Sequence, residues 1–271
     1  MRFASKGAGP AMRFALLAFA VVCITLAAGL ANAQPPNTPP NTDHYLVYRV
    51  LNPPSFKGPL IMSDQFIQKA QYQTFTLNYF MTPVNKNNEG IIDDVTHYTW
   101  WLVSTQPFGA LALVSNQFRP DQQLQVFQPH YLFNPALKDL RQPPQGTIPP
   151  KNHYLAYDVT GDPMGIGVSL QDQFSQYQAR VNLPRFLAPP VEKNFQGQVF
   201  PILDPVAHMV VYDISLLPGV PQKPPPVFVK DEFGTWQLAL DQPLFLCVPS
   251  YKTGVVGTNG TSWGRLKTLY R

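Results

Sequence analysis

Four histidines, His44, His97, His153 and His208, stand 53, 56 and 55 residues apart. Imidazoles at so regular an interval could converge on one axis and hold a metal. Ligands of a metal centre must cluster in a set geometry, however, and no spacing here enforces one. Each histidine is therefore expected to pin its own segment through local backbone, with no metal and no cofactor. His130 lies outside the pattern and reads as a surface residue. Beyond the leader described below, the one cysteine is Cys247, between Phe245-Leu246 and Val248-Pro249. A reactive thiol needs a neighbouring base or cation, and none is adjacent, so a buried, inert thiol is expected. No Gly-x-Ser-x-Gly occurs to carry a nucleophile with its base. Two carboxylate pairs, Asp93-Asp94 and Asp231-Glu232, could in principle cleave glycosides. Neighbouring acids point to opposite faces of a strand, and acids in turns are normally solvated. The glycines of Gly161-Asp162-Pro163-Met164-Gly165-Ile166-Gly167 form a turn before a strand, and no phosphate or calcium loop is present. No catalytic residue is expected.

What must position these residues is a unit repeated four times. Each copy opens on a histidine-led strand: His44–Val50, His97–Val103, His153–Val159 and His208–Ile214. Alternate residues share one face of a strand, which groups His44, Leu46, Tyr48 and Val50. The opposite face is largely apolar too, as in an interior strand. Each copy then carries a triplet, Asp64-Gln65-Phe66, Asn116-Gln117-Phe118, Asp172-Gln173-Phe174 or Asp231-Glu232-Phe233. Asp and Asn start turns by bonding the following backbone, and the phenylalanine would pack down from the turn as a plug. Last comes a second strand with two prolines and a lysine: Pro129, Pro135 and Lys138; Pro184, Pro190 and Lys193; Pro243, Pro249 and Lys252. Copy one has Leu77, Pro83 and Lys86. Proline lacks the ladder donor, so these segments are expected at an edge or crossing between sheets.

With 30 prolines and 45% hydrophobic residues in 271, the composition favours many short strands over long helices. Copies one and three run into the next copy without a strong break, whereas copy two ends in Gln142–Pro150, rich in proline. The expected architecture is all-β: two tandem pseudo-symmetric sandwich or flattened-barrel domains at 43–141 and 151–252, each of two repeats, joined by a linker at 142–150. A four-bladed propeller-like ring is the alternative. Residues 253–271 form a tail.

The N-terminus carries Arg2, Lys6 and Arg13, an apolar run from Phe14 to Leu30, and Ala31-Asn32-Ala33. That is the order of a signal peptide, here 1–33, with cleavage near Gln34 and a proline-rich spacer at 34–42. No membrane span remains after cleavage, and the expected location is secreted or periplasmic. The formal charge of +4 rests on 20 basic and 16 acidic residues, and the leader holds three of the basic ones. What remains has no basic stripe for nucleic acid. Exposed tryptophans can stack on sugars or a protein partner, which makes Trp100 and Trp236 the candidate binding residues. The period-two pattern sets a core role against this for the Tyr98-Trp100-Trp101 strand, and the core role is preferred. Trp236, just after the fourth turn, is expected to be partly exposed.

The repeat resembles a family of uncharacterised modules in exported bacterial proteins, built as His-x-x-Cys-Tyr, Asp/Asn-Gln-Phe and Pro-x-x-Leu-Cys-x-Pro-x-x-Lys. The clearest matches are Asp172-Gln173-Phe174 and Pro243–Lys252. The resemblance implies a cysteine pair suited to a disulfide, but Val47, Trp100, Ala156 and Val211 occupy the first cysteine's place. Val211 opposite Cys247 would leave half of a lost pair. The resemblance supports the repeat and export, and it brings no activity. The expected role is an exported, non-catalytic structural or ligand-binding protein with an extracellular or envelope partner. A secreted hydrolase is the alternative.

Overall fold

The computed structural model describes residues 42–219 and 223–257. Every described element is a strand. Repeat one contributes β1 (His44–Val50), β2 (Pro59–Ser63) and β3 (Ala70–Lys86), and repeat two β4 (His97–Val103), β5 (Ala110–Asn116) and β6 (Gln122–Asp139). Repeat three adds β7 (His153–Thr160), β8 (Ile166–Gln171), β9 (Gln176–Ala188), β10 (Pro190–Phe195) and β11 (Gln198–Phe200). Repeat four closes the chain with β12 (His208–Leu216), β13 (Val227–Asp231), β14 (Gly234–Leu238) and β15 (Leu240–Gly257). The leader, most of the spacer and residues 258–271 lie outside the described residues.

The strands form one antiparallel sheet, and eight of them close a ring in the order β1, β15, β12, β9, β7, β6, β4, β3 and back to β1. Each histidine-led strand thus has a partner on both sides, as its two apolar faces require. The ring agrees with the flattened-barrel expectation. It is continuous rather than divided into separate blades, unlike a propeller.

Inside the ring, side chains from strands that are not neighbours meet. Trp100 stacks on its cross-strand neighbour Phe133 at 4.0 Å between centroids and, across the interior, faces Phe245 of β15 at 6.2 Å. Tyr45, Tyr98 and Tyr154 form a chain of edge contacts at 5.3 and 5.9 Å. On the other face, Leu46, Tyr48, Trp101, Leu155, Tyr157, Val210 and Tyr212 are buried under the hairpins of the outer strands.

Those hairpins interleave the repeats. The first halves of β3, β6 and β9 leave the ring to pair with their own repeats' outer strands β2, β5 and β8, and in repeat four the separate strand β14 pairs with β13. Each outer strand then joins the far end of a long strand two repeats away. β2 pairs with β10 and β8 with β3, tying repeats one and three; β5 pairs with β15 and β13 with β6, tying two and four. The expected division into 43–141 and 151–252 is therefore corrected. Ladder bonds cross it at many points, and the described residues form one compact unit. Repeat pairing by chain order failed because partnership here alternates. The tail's first residues also belong to β15.

The prolines correct a second expectation. They lie within the ring rather than at an edge. Pro243, Pro184 and Pro129 face Tyr48, Tyr212 and Tyr157 at register shifts, and Leu77 faces Trp101 at the matching shift in repeat one. A bulge needs no ladder donor at the extra residue, so it accommodates proline and bends the strand out toward its hairpin.

Candidate functional site

The triplets build the junctions between repeats. Each Asp or Asn accepts from the backbone N–H groups that follow it: Asp64 from Phe66 at 2.7 Å, Asn116 from Phe118 at 2.9 Å, Asp172 from Phe174 at 2.9 Å, and Asp231 from Phe233 at 2.8 Å. This is the expected turn, and all four phenylalanines pack against the outer core. The remaining capacity of the carboxylate reaches the repeat two away. Tyr48 donates to Asp172 at 2.6 Å and Tyr157 to Asp64 at 2.9 Å. The Trp101 indole N–H donates to Asp231 at 2.8 Å. With Asn116 the direction reverses: its amide donates to Tyr212 at 2.8 Å, and the Tyr212 hydroxyl donates on to Gln122. Burial lifts the Asp64 carboxyl to about 6 despite these bonds.

The middle residue of each triplet reaches the preceding repeat around the ring. Gln117 meets His44, Gln173 meets His97 at 3.3 Å, Glu232 meets His153 at 3.1 Å, and Gln65 meets His208 at 3.0 Å. The repeat lysines follow the same path onto the triplet phenylalanines. Lys86 lies over Phe118 at 5.7 Å, Lys138 over Phe174 at 5.8 Å, Lys193 over Phe233 at 5.0 Å and Lys252 over Phe66 at 5.4 Å. Each repeat's histidine and lysine thus clamp the next repeat's turn, and repeat four clamps repeat one. The histidines do not meet on an axis, and among the described residues no three His, Cys, Asp or Glu side chains are grouped to hold a metal. Burial holds His44 and His97 down at about 3 and His208 at about 4, so all three are neutral.

The junction between repeats three and four differs. Its triplet carries Glu232 where the others carry glutamine. The Glu232 carboxylate contacts both the His153 imidazole and the ammonium of Lys193, which is fully buried and also donates to Asn134 Oδ1 at 3.1 Å. A cavity of about 260 Å³ opens beside this cluster. Its walls are Ile148, Pro149, Pro150, Phe200, Pro201 and Leu203, and its polar lining is Lys151, His153, Gln198 and Glu232. The Pro-rich 142–150 segment, read from sequence as a linker, is a strap over the cavity, fixed by Lys230 donating to the Gly146 carbonyl at 2.9 Å. Three buried side-chain atoms among the described residues have no hydrogen-bond partner, and two of them, His153 Nδ1 and Asn134 Nδ2, belong to this cluster.

The sequence-derived candidates fare unequally. Trp100 is fully buried inside the ring, so it offers no stacking platform, and the core role stands. Trp236 is half-buried, edge-on to Trp101 at 5.1 Å. Its ring lies over Gly234, where a Cβ would come within 2.9 Å of it. Asp231 and Glu232 are not solvated acids: Asp231 is buried on Thr99 and Trp101. Asp93 holds Lys151 at 2.7 Å and the start of its own turn. Cys247 is a buried free thiol whose pKa is pushed far up by burial, as expected of an inert one. His130 bonds Asp158 at 3.0 Å, partly exposed. The sequence places Glu232 in a triplet and a carboxylate pair, and Lys193 in the proline-lysine motif, but does not show that the two meet. The signal was present in the one glutamate among four equivalent positions.

The repeat agrees with a comparison to known families. Residues 97–224 match the model of a repeat of unknown function (DUF7450). The match starts on the histidine of repeat two and runs through repeat three into repeat four, so its edge coincides with the unit defined here. No curated protein and no solved structure matches the chain. Among the described residues no helix is long and apolar enough to cross a membrane.

Proposed function

We propose that the protein is an exported, non-catalytic repeat protein whose ring serves as a rigid structural or ligand-binding body outside the cytoplasm. The observation that carries this reading is the use made of the recurring polar residues. The histidines, triplets and lysines hold one repeat to another, which leaves the single irregular junction as the place where a ligand could be received. The cavity there is lined by no serine, threonine or cysteine, so it offers no hydroxyl or thiol nucleophile beside His153 and Glu232. Export rests on the leader's order of basic, apolar and small residues, and on the likeness to modules of exported bacterial proteins.

Expression of the full chain in a bacterial host, followed by fractionation and N-terminal sequencing, tests the location. Mature protein beginning near Gln34 outside the cytoplasm is expected, and an intact leader on cytoplasmic protein would sink it. A panel of chromogenic esters, phosphates and glycosides tests the other half. No turnover is expected; turnover abolished by Glu232→Gln would establish the hydrolase instead.

A further inference from the structure

The irregular junction differs from those of His97 and His208 in two linked ways. At the second and fourth repeats the histidine's Nδ1 faces a backbone carbonyl, Val95 O at 2.8 Å from His97 and Val206 O at 3.0 Å from His208. A carbonyl only accepts, so Nδ1 carries the proton and Nε2 is left to accept from the glutamine amide. Those carbonyls are presented by turns in which Asp93 and Asp204, four residues before the histidine, bond the N–H of Val95 and Val206, both at 3.0 Å. In repeat three the equivalent position is Pro149, which builds no such turn, and Nδ1 of His153 has no protein partner. At the same junction glutamine gives way to Glu232. A carboxylate accepts only, so the proton moves to Nε2 and the imidazole takes the opposite tautomer, with a bare lone pair on Nδ1. Burial, reinforced by the Lys193 charge, holds this imidazole neutral. A buried acceptor without a donor is costly, and this one belongs to a side chain bordering an apolar cavity.

We propose that the cavity binds a small apolar molecule through a hydrogen-bond donor, a hydroxyl or an ammonium, received by His153 Nδ1 and the Glu232 carboxylate. The proline and Phe200 walls take the apolar body, and Gln198 and Lys151 lie at the polar side of the lining. This rests on the ligand-binding half of the proposed function and specifies the chemistry of the ligand.

The test uses the full chain with ¹⁵N-labelled histidine. Spectra of the free protein should report Nε2–H for His153 and Nδ1–H for His97 and His208; one tautomer for all three would overturn the proposal. Four probes of similar size follow: benzyl alcohol, benzylamine, toluene and benzoate. Saturable binding of benzyl alcohol or benzylamine is expected, at least tenfold tighter than toluene or benzoate, with a shift of the His153 Nδ1 resonance. The tighter of the two names the donor. Glu232→Gln should return His153 to the other tautomer and erase the tenfold preference. Phe200→Ala, at a half-buried wall, should weaken all probes while keeping their order. No saturable binding, meaning that the cavity holds water alone, overturns the proposal, as does equal binding of benzoate. Either failure leaves the structural role untouched, whereas turnover in the substrate panel would remove the non-catalytic reading itself.

Discussion

Inside the ring the equivalent cross-strand pairs are Val47 with Met81, Trp100 with Phe133, and Val211 with Cys247; Ala156 and Ala188 stand at the matching positions of repeat three, and no two sets are alike. Outside it, the contacts of His with Gln, Asp with an aromatic, and Lys with Phe recur almost unchanged. The two regions share one pseudo-symmetry but tolerate different changes. Apolar interior residues share a common volume, so a large pair such as Trp100 and Phe133 can offset a small one such as Ala156 and Ala188. A polar contact has no such freedom, because losing one partner strands the other in a dry site. The outer junctions therefore vary only by exchanges that supply a new partner. Asn116 for Asp is matched by Gln122 taking the Tyr212 proton, and Glu232 for Gln is matched by buried Lys193.

The largest effect should come from breaking a junction outright. Asp231→Ala strands the Trp101 indole N–H and the Thr99 hydroxyl, both buried. A loss of about 3–5 kcal/mol in urea unfolding is expected. Asp231→Asn keeps an acceptor and should cost clearly less. Equal losses would mean that Asp231 contributes packing rather than hydrogen bonds.

The interior offers the opposite operation, which is to restore a pair. Val211 and Cys247 are direct cross-strand partners, and such Cα atoms lie about 4.5–5.5 Å apart, within disulfide range. Val211→Cys should oxidise to an internal disulfide and raise stability by about 3 kcal/mol through closure of the intervening loop. Mass spectrometry with and without reductant reads the bond. Two free thiols after oxidation would show that the interior no longer admits the staple.

Much of this was legible in the sequence. The four histidine-led strands, the Asx turns of the triplets, the phenylalanine plugs and the inert Cys247 follow from period and residue type. The alternation of partners was not, because Gln142–Pro150 reads as a domain linker by composition, and nothing local says that β2 will pair with β10. The prolines misled for a related reason: a missing donor argues equally for an edge and for a bulge, and only the closed ring decides. At the candidate site, Glu232 stood out in the triplets, but its buried partner Lys193 looks identical in sequence to Lys138, which is only half-buried.

Titration separates the histidines that hold junctions. The His97 pKa is held down at about 3 by burial, with Lys138 adding to it and the Val95 carbonyl opposing. A histidine depressed in the folded state contributes stability that is present above about 6.5 and lost as pH falls toward the folded value, because the unfolded chain then binds the extra proton. The loss is about 1.4 kcal/mol per pH unit in that window. Asp64, raised to about 6, acts in the reverse sense as pH falls below that value, so the whole protein's slope mixes the two. The difference between wild type and His97→Phe isolates one proton. Unfolding free energies measured from pH 7 to pH 4 should fall more steeply in the wild type, and parallel curves would mean that His97 titrates normally.

The smallest effect tests whether the charge at the third-to-fourth junction is itself what sets it apart. Gln173→Glu transplants that carboxylate to the junction between repeats two and three, beside His97 and Lys138. Lys138 is partly exposed there, unlike Lys193, so solvent screens the new pair and stability should change by less than about 1 kcal/mol. The imidazole responds more than the fold does. A carboxylate at this distance favours the charged form, so the His97 pKa should rise from about 3. Because the Val95 carbonyl still holds Nδ1–H, Nε2 has to gain a proton to satisfy the new acceptor. His97 should then become a cation near neutrality more readily than it takes the tautomer inferred for His153. If ¹⁵N spectra instead show His97 neutral and protonated at Nε2, the carboxylate alone dictates the tautomer, and the loss of the turn at Pro149 is not needed to explain the irregular junction.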